Sequence, residues 1–284
     1  MKGSRELRKE LSILEEFPSP NFVVQRIISL VSAPETTVSQ LHEAISMDPS
    51  LSAKILKLSN SAYYAVPKKV TKLSEAIMIL GFKTVRNIAL SIFTRESYFS
   101  RPIPGVDEKK LWEHMVLTAM TGEVVAEVLS FPNREEIFMA GLLHDLGKIV
   151  MGIISPRYLS EVVRYAKVAG KRFYDVEREL EAPDHCELGQ IVFEMWNMPD
   201  IVIETAAHHH DPFDVSEDAL KDTVFMVHVA NAVSNILLDG YGMNFDVPDL
   251  KPEVWKYLRL KPKIFEKILN RAQEKMSYVE EFWV

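Results

Sequence analysis

The feature that most constrains the fold of this chain is a helical repeat of apolar residues along most of its length. Leu51, Ile55 and Leu58 are one example, with apolar side chains three or four positions apart on one helical face. We find no convincing run of alternating apolar and polar residues, and no Asn-Gly or Asp-Gly pair that joins two strand-like runs. The pattern predicts an all-α, multi-helical protein in which an N-terminal helical subdomain packs on a helical bundle.

Local signals mark where several helices begin. Thr37, with Gln40 three residues later, forms a capping-box pattern, and Asp107 and Asn133 are candidate N-caps. Further helices are predicted over residues 133–154, 157–169, 173–180, 184–197, 199–210 and 217–239, followed by two short ones that start at Pro252 and Pro262.

The clearest interruption of the helical pattern is the run Arg101-Pro102-Ile103-Pro104-Gly105. Two prolines and a glycine cannot continue a helix, so we place a boundary there. The sequence therefore predicts an N-terminal helical part over residues 1–106, a helical bundle over residues 107–240 and a C-terminal helical extension over residues 241–284.

Composition excludes several classes of protein. The 284 residues are 47% hydrophobic and 26% charged, which is typical of a globular protein and not of a disordered chain. Apolar stretches such as Ile137 to Leu143 are far shorter than the roughly 18 residues that span a bilayer, and the charged first residues lack the apolar segment of a secretion signal. Cys186 is the only cysteine, which excludes an internal disulfide framework and any cysteine-rich zinc site. We expect a cytoplasmic protein without a membrane segment.

Charge is distributed unevenly along the chain. Residues 1–106 carry 14 Lys or Arg and 9 Asp or Glu, whereas the remainder carries 19 and 31. A strongly acidic second part argues against a nucleic-acid-binding protein. Five basic residues are a candidate patch for an acidic partner, although a solvated helix face explains them more simply: Lys68, Lys69, Lys72, Lys83 and Arg86.

The strongest chemical signal lies in the apolar segment from Ala140 to Lys148, where His144 and Asp145 stand side by side. Burying adjacent ionisable groups is costly unless they are paired or bind a metal ion. Imidazole with carboxylate suits iron, manganese, zinc or a similar divalent metal better than calcium. Lys148 is four residues after His144, on the same face of a continuing helix, where it can meet an anion or a phosphate.

Other predicted helices also contribute imidazoles, namely His114, His185, and the pair His209 and His210. Four separate helices would thus bring histidine together, as a metal site in the core of a helical bundle requires. Each residue also has a structural interpretation. His144 and Asp145 can form a buried hydrogen-bonded pair, His185 can cap a helix, and the late histidines can interact with a helix C-terminus.

This order of histidines and aspartate resembles the HD superfamily of metal-dependent phosphohydrolases, including the HD-GYP phosphodiesterases, over about residues 107–239. Upstream, three segments resemble the HDOD family, which fuses an HD-type helical bundle to an N-terminal helical part. These three segments are Asp48-Pro49-Ser50-Leu51, Leu58 to Tyr64, and Glu75 to Gly81 followed by Val85-Arg86-Asn87. With them, the resemblance covers about residues 17–239.

The resemblance implies a set of metal ligands for one or two divalent ions, with Fe, Mn, Zn, Ni and Mg not distinguished. His144 and Asp145 would be central, with the carboxylate bridging two ions if both are present. His114 would join the first ion, and His185, His209 and His210 the second. Asn231 stands where the superfamily has a last aspartate, which weakens the first position because an amide oxygen is a poorer ligand.

Two functions remain open at this point. The HDOD resemblance, Asn231 and the absence of a Gly-Tyr-Pro loop after His210 favour a regulatory signalling module with little or no turnover. Such a module would bind protein partners or a nucleotide-like or phosphate ligand. The alternative is a metal-dependent phosphohydrolase acting on a nucleotide or phosphoester, with Asp145 and Lys148 as catalytic residues. The polar and aromatic run from Asn60 to Tyr64 is either structural, which we favour, or a docking surface.

Overall fold

The computed structural model describes residues 19–100, 102–180, 183–238, 242–246 and 250–283. The chain is 73% helical, and no strand occurs in these ranges, which confirms the all-α prediction. The described residues form two compact units. One contains those between 101 and 276, and the other those between 18 and 100 together with those between 277 and 284.

The unit of residues 18–100 and 277–284 contains five described α-helices, and local signals mark the start of several of them. Thr37 forms the predicted capping box with Gln40, and Asp48 caps the helix that begins at Pro49. The helices are α1 (Phe22–Ser32), α2 (Val38–Ser46), α3 (Pro49–Ser59), α4 (Leu73–Leu80) and α5 (Phe82–Tyr98). Arg86, which we had placed in a surface patch, is only 2% exposed, and its guanidinium donates to Asn87 Oδ1.

The C-terminal residues of the chain pack within this same unit. The Glu281 carboxylate accepts hydrogen bonds from the backbone N–H groups of Ala62 and Tyr63. The Tyr63 ring meets the Phe282 ring edge-on at 5.4 Å between centroids. These contacts support the structural interpretation of the run from Asn60 to Tyr64.

The unit that contains residues 101–276 includes the predicted bundle. Asp107 caps its first helix, as expected, through a hydrogen bond from the Lys110 backbone N–H. Of the predicted C-terminal extension, the described residues up to Met276 fall in this unit and those from Ser277 onward in the other. The helices are α6 (Glu108–Val128), α7 (Arg134–Leu143), α8 (Leu146–Ile154), α9 (Pro156–Ala169), α10 (Phe173–Glu179), α11 (His185–Met195), α12 (Asp200–His208), α13 (Asp218–Leu237), α14 (Pro252–Tyr257) and α15 (Pro262–Lys275).

Two local predictions in this unit are wrong. The single helix predicted over residues 133–154 is two helices, because Asp145 leaves helical geometry at φ −99° and ψ 9°. Asn133 does not cap α7 with its side chain, because it adopts a left-handed conformation at φ 61°. The first correction is important for the site, since it places the Asp145 carboxylate at a helix junction.

A close helix contact brings two parts of the site together. A Cβ atom on Gly147 of α8 would lie 1.8 Å from the His185 carbonyl oxygen of α11, so only glycine permits this approach. The residues just before α8 and at the start of α11 therefore lie beside each other.

Residues Arg134–Ile154 form the one described stretch that is alone long and apolar enough to cross a membrane, with a mean hydropathy of 1.7. However, 94% of that window is buried inside the protein. Leu73–Leu80 and Phe82–Tyr98 meet the same criterion only as a pair, and they are bent by 117°. Burial of this extent is typical of core helices in a globular protein.

Candidate metal centre

Five of the predicted ligands meet around one carboxylate. They come from α6, the junction of α7 and α8, the first residue of α11 and the residue that follows α12, and all are 0% exposed. They are His114, His144, Asp145, His185 and His209.

The two oxygens of Asp145 face different pairs of imidazoles. Asp145 Oδ2 lies 3.4 Å from His114 Nε2 and 3.3 Å from His144 Nε2, which defines the first face of the site. Asp145 Oδ1 lies 3.4 Å from His185 Nε2 and 3.6 Å from His209 Nε2, which defines the second face. On the second face, the two imidazole Nε2 atoms are 3.3 Å apart.

These separations fit a divalent cation. Ligands at about 2.0–2.1 Å from a tetrahedral zinc ion lie about 3.3 Å from one another. Three buried atoms that face one another at the centre also lack a hydrogen-bond partner, namely His114 Nε2, His144 Nε2 and Asp145 Oδ1. Since unpaired buried polar groups are costly, atoms converging in this way are suited to a metal ion.

Contacts behind the ligands fix which nitrogen faces inward. His144 Nδ1 lies 2.7 Å from the Gly141 carbonyl oxygen, and His209 Nδ1 lies 3.1 Å from that of Ala206. Buried Glu177 of α10 accepts from the His185 backbone N–H at 2.9 Å, and its other oxygen lies 2.5 Å from His185 Nδ1. Carboxylate and carbonyl partners of this kind orient metal-binding histidines.

Electrostatics keeps the groups in metal-binding protonation states. Burial lowers the pKa of His114, His185 and His209, so these imidazoles are neutral. Burial alone would raise the pKa of Asp145, but the electrostatic interactions with the neighbouring His144 and Lys148 side chains outweigh it and hold that pKa well below its usual range. The centre therefore combines the Asp145 carboxylate with neutral imidazoles at His114, His185 and His209.

Lys148 and a backbone segment cover the first face. Lys148 Nζ donates to Asp145 Oδ2 at 2.8 Å and to the Gly242 carbonyl oxygen at 2.9 Å. A Cβ atom on Gly242 would lie 3.0 Å from His114 Nε2 and 2.9 Å from Asn235 Oδ1. The backbone at Gly242 is therefore in close contact with a ligand of the first face.

The remaining predicted ligands differ in their placement. His210 is partly buried and stacks on Tyr174, with 4.4 Å between ring centroids, and its Nε2 atom has no hydrogen-bond partner. Asn231 lies on α13, and its side-chain oxygen accepts from Asn235 Nδ2 at 2.8 Å. His228, also on α13 and not one of the predicted ligands, is held by backbone groups, since its Nδ1 lies 2.7 Å from the His209 carbonyl oxygen and its Nε2 accepts from the Lys251 N–H.

Sequence reasoning missed two residues beside the second face. Glu177 lies on a short helix, and no local pattern distinguishes it from the surface acids around it. Cys186 is adjacent to His185, but as a single cysteine it served only to exclude disulfides and a cysteine-rich zinc site. One potential ligand atom from each of four residues lies within 4.8 Å of the others, the four being His185, Cys186, His209 and His210.

Comparisons with known proteins show what the chain resembles. An HDOD domain protein of unknown function from Geobacter sulfurreducens gives a TM-score of 0.76 at 22% identity, over 99% of this chain and 96% of that one. A proposed phosphohydrolase from Shewanella amazonensis gives 0.73 at 20% identity, over 96% of this chain and 97% of that one. A proposed signal transduction protein from Marinobacter aquaeolei gives 0.75 at 20% identity, over 94% of this chain and 60% of that one.

An uncharacterized protein from Treponema pallidum is 25% identical over 242 residues, which is 84% of this chain and 45% of that relative. The chain thus spans less than half the length of that curated relative. The model of the HDOD domain family matches residues 17–212, well over half of the chain. The resemblance found in the sequence is therefore confirmed, and the chain belongs to the HDOD domain family.

Proposed function

We propose that this chain is a regulatory HDOD module that binds one divalent metal ion at the second face and acts through protein partners, with little or no turnover. One observation carries this proposal. Lys148 Nζ lies 2.8 Å from Asp145 Oδ2, the same oxygen that faces His114 and His144.

The lysine makes the two faces unequal. An ammonium group at Asp145 Oδ2 neutralises the carboxylate and competes with a cation at the first face. Asp145 Oδ1 has no hydrogen-bond partner and remains available to the second face. Asn231 adds to the inequality, because an amide replaces the carboxylate expected beside the first ion.

Access to the centre also favours regulation. The five clustered ligands are fully buried, and the backbone at Gly242 contacts His114 on the first face. Hydrolysis requires a phosphoryl group and a water molecule to reach the reacting atoms together. A buried ion that joins helices can stabilise a fold without meeting these requirements.

The alternative function is a metal-dependent phosphohydrolase, favoured by the position of Asp145 between two pairs of imidazoles. A bound ion would supply Lewis acidity and an activated water. Asp145 would then keep the metal-binding imidazoles in position, and the Lys148 ammonium would stabilise negative charge on a phosphoryl oxygen. This function requires the contacts of Lys148 and Gly242 to open for substrate.

The proposed partners are proteins in the cytoplasm, with a phosphate or nucleotide-like ligand as a second candidate and no role for nucleic acid or membrane. A cavity of about 280 Å³ next to α4 supports an acidic protein partner, because Lys68 and Lys69 line it together with Met78 and Ile79. Met78 and Ile79 are 65% and 54% exposed, so apolar and basic groups share this surface.

Metal analysis and a hydrolysis assay test the proposal together. We expect about one divalent ion per chain, and no hydrolysis of a generic phosphodiester or of nucleotides above that of His144→Ala. Metal-dependent turnover that His144→Ala abolishes would establish the phosphohydrolase instead. Absence of bound metal after reconstitution with zinc, manganese or iron would refute both functions.

A further inference from the structure

Cys186 is a nucleophilic side chain beside the centre that the proposed function leaves unused. It is the second residue of α11, is 4% exposed, and its Sγ atom lies 3.7 Å from His185 Nε2. Its distance to His209 Nδ1 is 3.9 Å. The sulfur is therefore beside the nitrogen of His185 that faces Asp145 and beside the nitrogen of His209 that faces the Ala206 carbonyl oxygen.

We infer that Cys186 is a thiolate ligand of the metal ion at the second face and makes that face selective for zinc or a similarly soft ion. This inference rests on the proposed metal binding and deepens it by naming the class of metal. The resemblance to the HD superfamily supplied histidines and aspartates only, so the sulfur is a feature of this chain.

The distances agree with a shared ion. A sulfur at about 2.3 Å and a nitrogen at about 2.0–2.1 Å from a tetrahedral zinc ion are about 3.5 Å apart. The observed 3.7 Å between Cys186 Sγ and His185 Nε2 is close to that value. Asp145 Oδ1, buried and without a hydrogen-bond partner, lies 3.4 Å from the same His185 nitrogen.

Charge balance gives the thiolate a specific role. The Lys148 ammonium offsets the Asp145 carboxylate, so the second face otherwise offers a divalent ion little net negative charge. With a divalent ion held at the second face, the Cys186 thiol would lose its proton to solvent, and the resulting thiolate would contribute the missing anion. Thiolate ligation favours zinc over manganese or magnesium.

The competing interpretation is that Cys186 is a small buried apolar residue, as many free cysteines are. The two interpretations predict different spectra. Cobalt(II) replaces zinc in sites of this kind, and only a thiolate ligand gives an intense near-ultraviolet sulfur-to-cobalt charge-transfer band. Because the chain has a single cysteine, such a band can be assigned without ambiguity.

The experiment is anaerobic cobalt titration of the full chain. We expect visible ligand-field bands together with the charge-transfer band, and we expect Cys186→Ser to lose the charge-transfer band while it retains ligand-field bands. His42→Gln is the matched control, because it removes an exposed imidazole in the other unit and should leave both sets of bands in place. Circular dichroism verifies that both variants fold.

The outcomes separate this inference from the proposed function. Ligand-field bands without a charge-transfer band in the unmodified chain would overturn the role of Cys186 and leave metal binding intact. A charge-transfer band that survives in Cys186→Ser would also overturn it. Absence of any cobalt spectrum would refute the proposed metal binding and the inference together.

Discussion

Glu177 determines which nitrogen of His185 faces the second face of the metal centre. Its carboxylate accepts from the His185 backbone N–H and holds Nδ1 at 2.5 Å, so Nε2 points toward Asp145. We expect Glu177→Gln to weaken zinc affinity by about 10- to 100-fold, the usual effect of removing the partner of a metal-binding histidine. Competition with a chromophoric chelator measures the change.

The matched control for this prediction is Glu179→Gln on the same helix. Glu179 pairs with Lys171 at the surface, with 48% of its side chain exposed, and does not contact the centre. We expect the Glu179→Gln variant to bind zinc with the same affinity as the unmodified chain. Equal affinities in all three proteins would show that Glu177 does not position His185.

Asn231 tests the first face of the centre. Its side-chain oxygen accepts from Asn235 Nδ2, an interaction that a carboxylate at the same position can keep. If residue 231 is the last ligand position, Asn231→Asp should add a second bound ion or tighten metal binding, because carboxylate is the stronger ligand. Calorimetric titration with manganese measures both the number of bound ions and their affinity. Unchanged stoichiometry and affinity would show that position 231 is not a ligand.

At the scale of elements, the contact between α8 and α11 sets the geometry of the centre. A Cβ atom on Gly147 would lie 1.8 Å from the His185 carbonyl oxygen and 2.9 Å from the Gly189 backbone nitrogen. Backbone atoms cannot rotate away as a side chain can. We expect Gly147→Ala to lower the free energy of unfolding by at least about 1–3 kcal/mol and to weaken metal binding, because α11 carries His185 and must shift.

Gly189→Ala is the comparison for this variant, since Gly189 lies on α11 in the same contact. The nearest neighbour of its added Cβ would be Ala206 Cβ at 3.4 Å, an ordinary van der Waals distance. Measurements of thermal unfolding and zinc affinity should therefore show that Gly147→Ala is much less stable and binds zinc more weakly than Gly189→Ala. A Gly147→Ala protein as stable as Gly189→Ala would mean that the two helices are not held this closely.

Elements also show where sequence reasoning succeeds and where it fails. The helix starts at Val38 and Glu108 were predictable because caps depend on residues within three positions. The break before Leu146 was not, because the apolar pattern continues through it and only the packing of neighbouring helices distinguishes one helix from two. Histidines were identifiable by type and order, whereas the contacts of Glu177 exist only in the folded chain.

At the scale of the whole molecule, metal binding should stabilise one of the two units selectively. The five clustered ligands lie between positions 114 and 209, all in the unit that contains residues 101–276. A ligand at about 100 times its dissociation constant stabilises the state that binds it by about 2.7 kcal/mol, which is about a hundredfold in the opening equilibrium. Amides in α6 to α12 that exchange by global opening of this unit should then exchange about a hundredfold more slowly.

Hydrogen exchange with and without zinc, followed by mass spectrometry, measures this effect for each helix. Peptides from α1 to α5 contribute no ligand to the centre and should exchange at the same rate in both conditions. Asp145→Asn serves as the control, because it removes the charge of the central ligand and should abolish the zinc-dependent protection. Equal slowing in all helices would show that zinc stabilises the chain as one cooperative unit, and no slowing would show that the ion does not join the helices that carry its ligands.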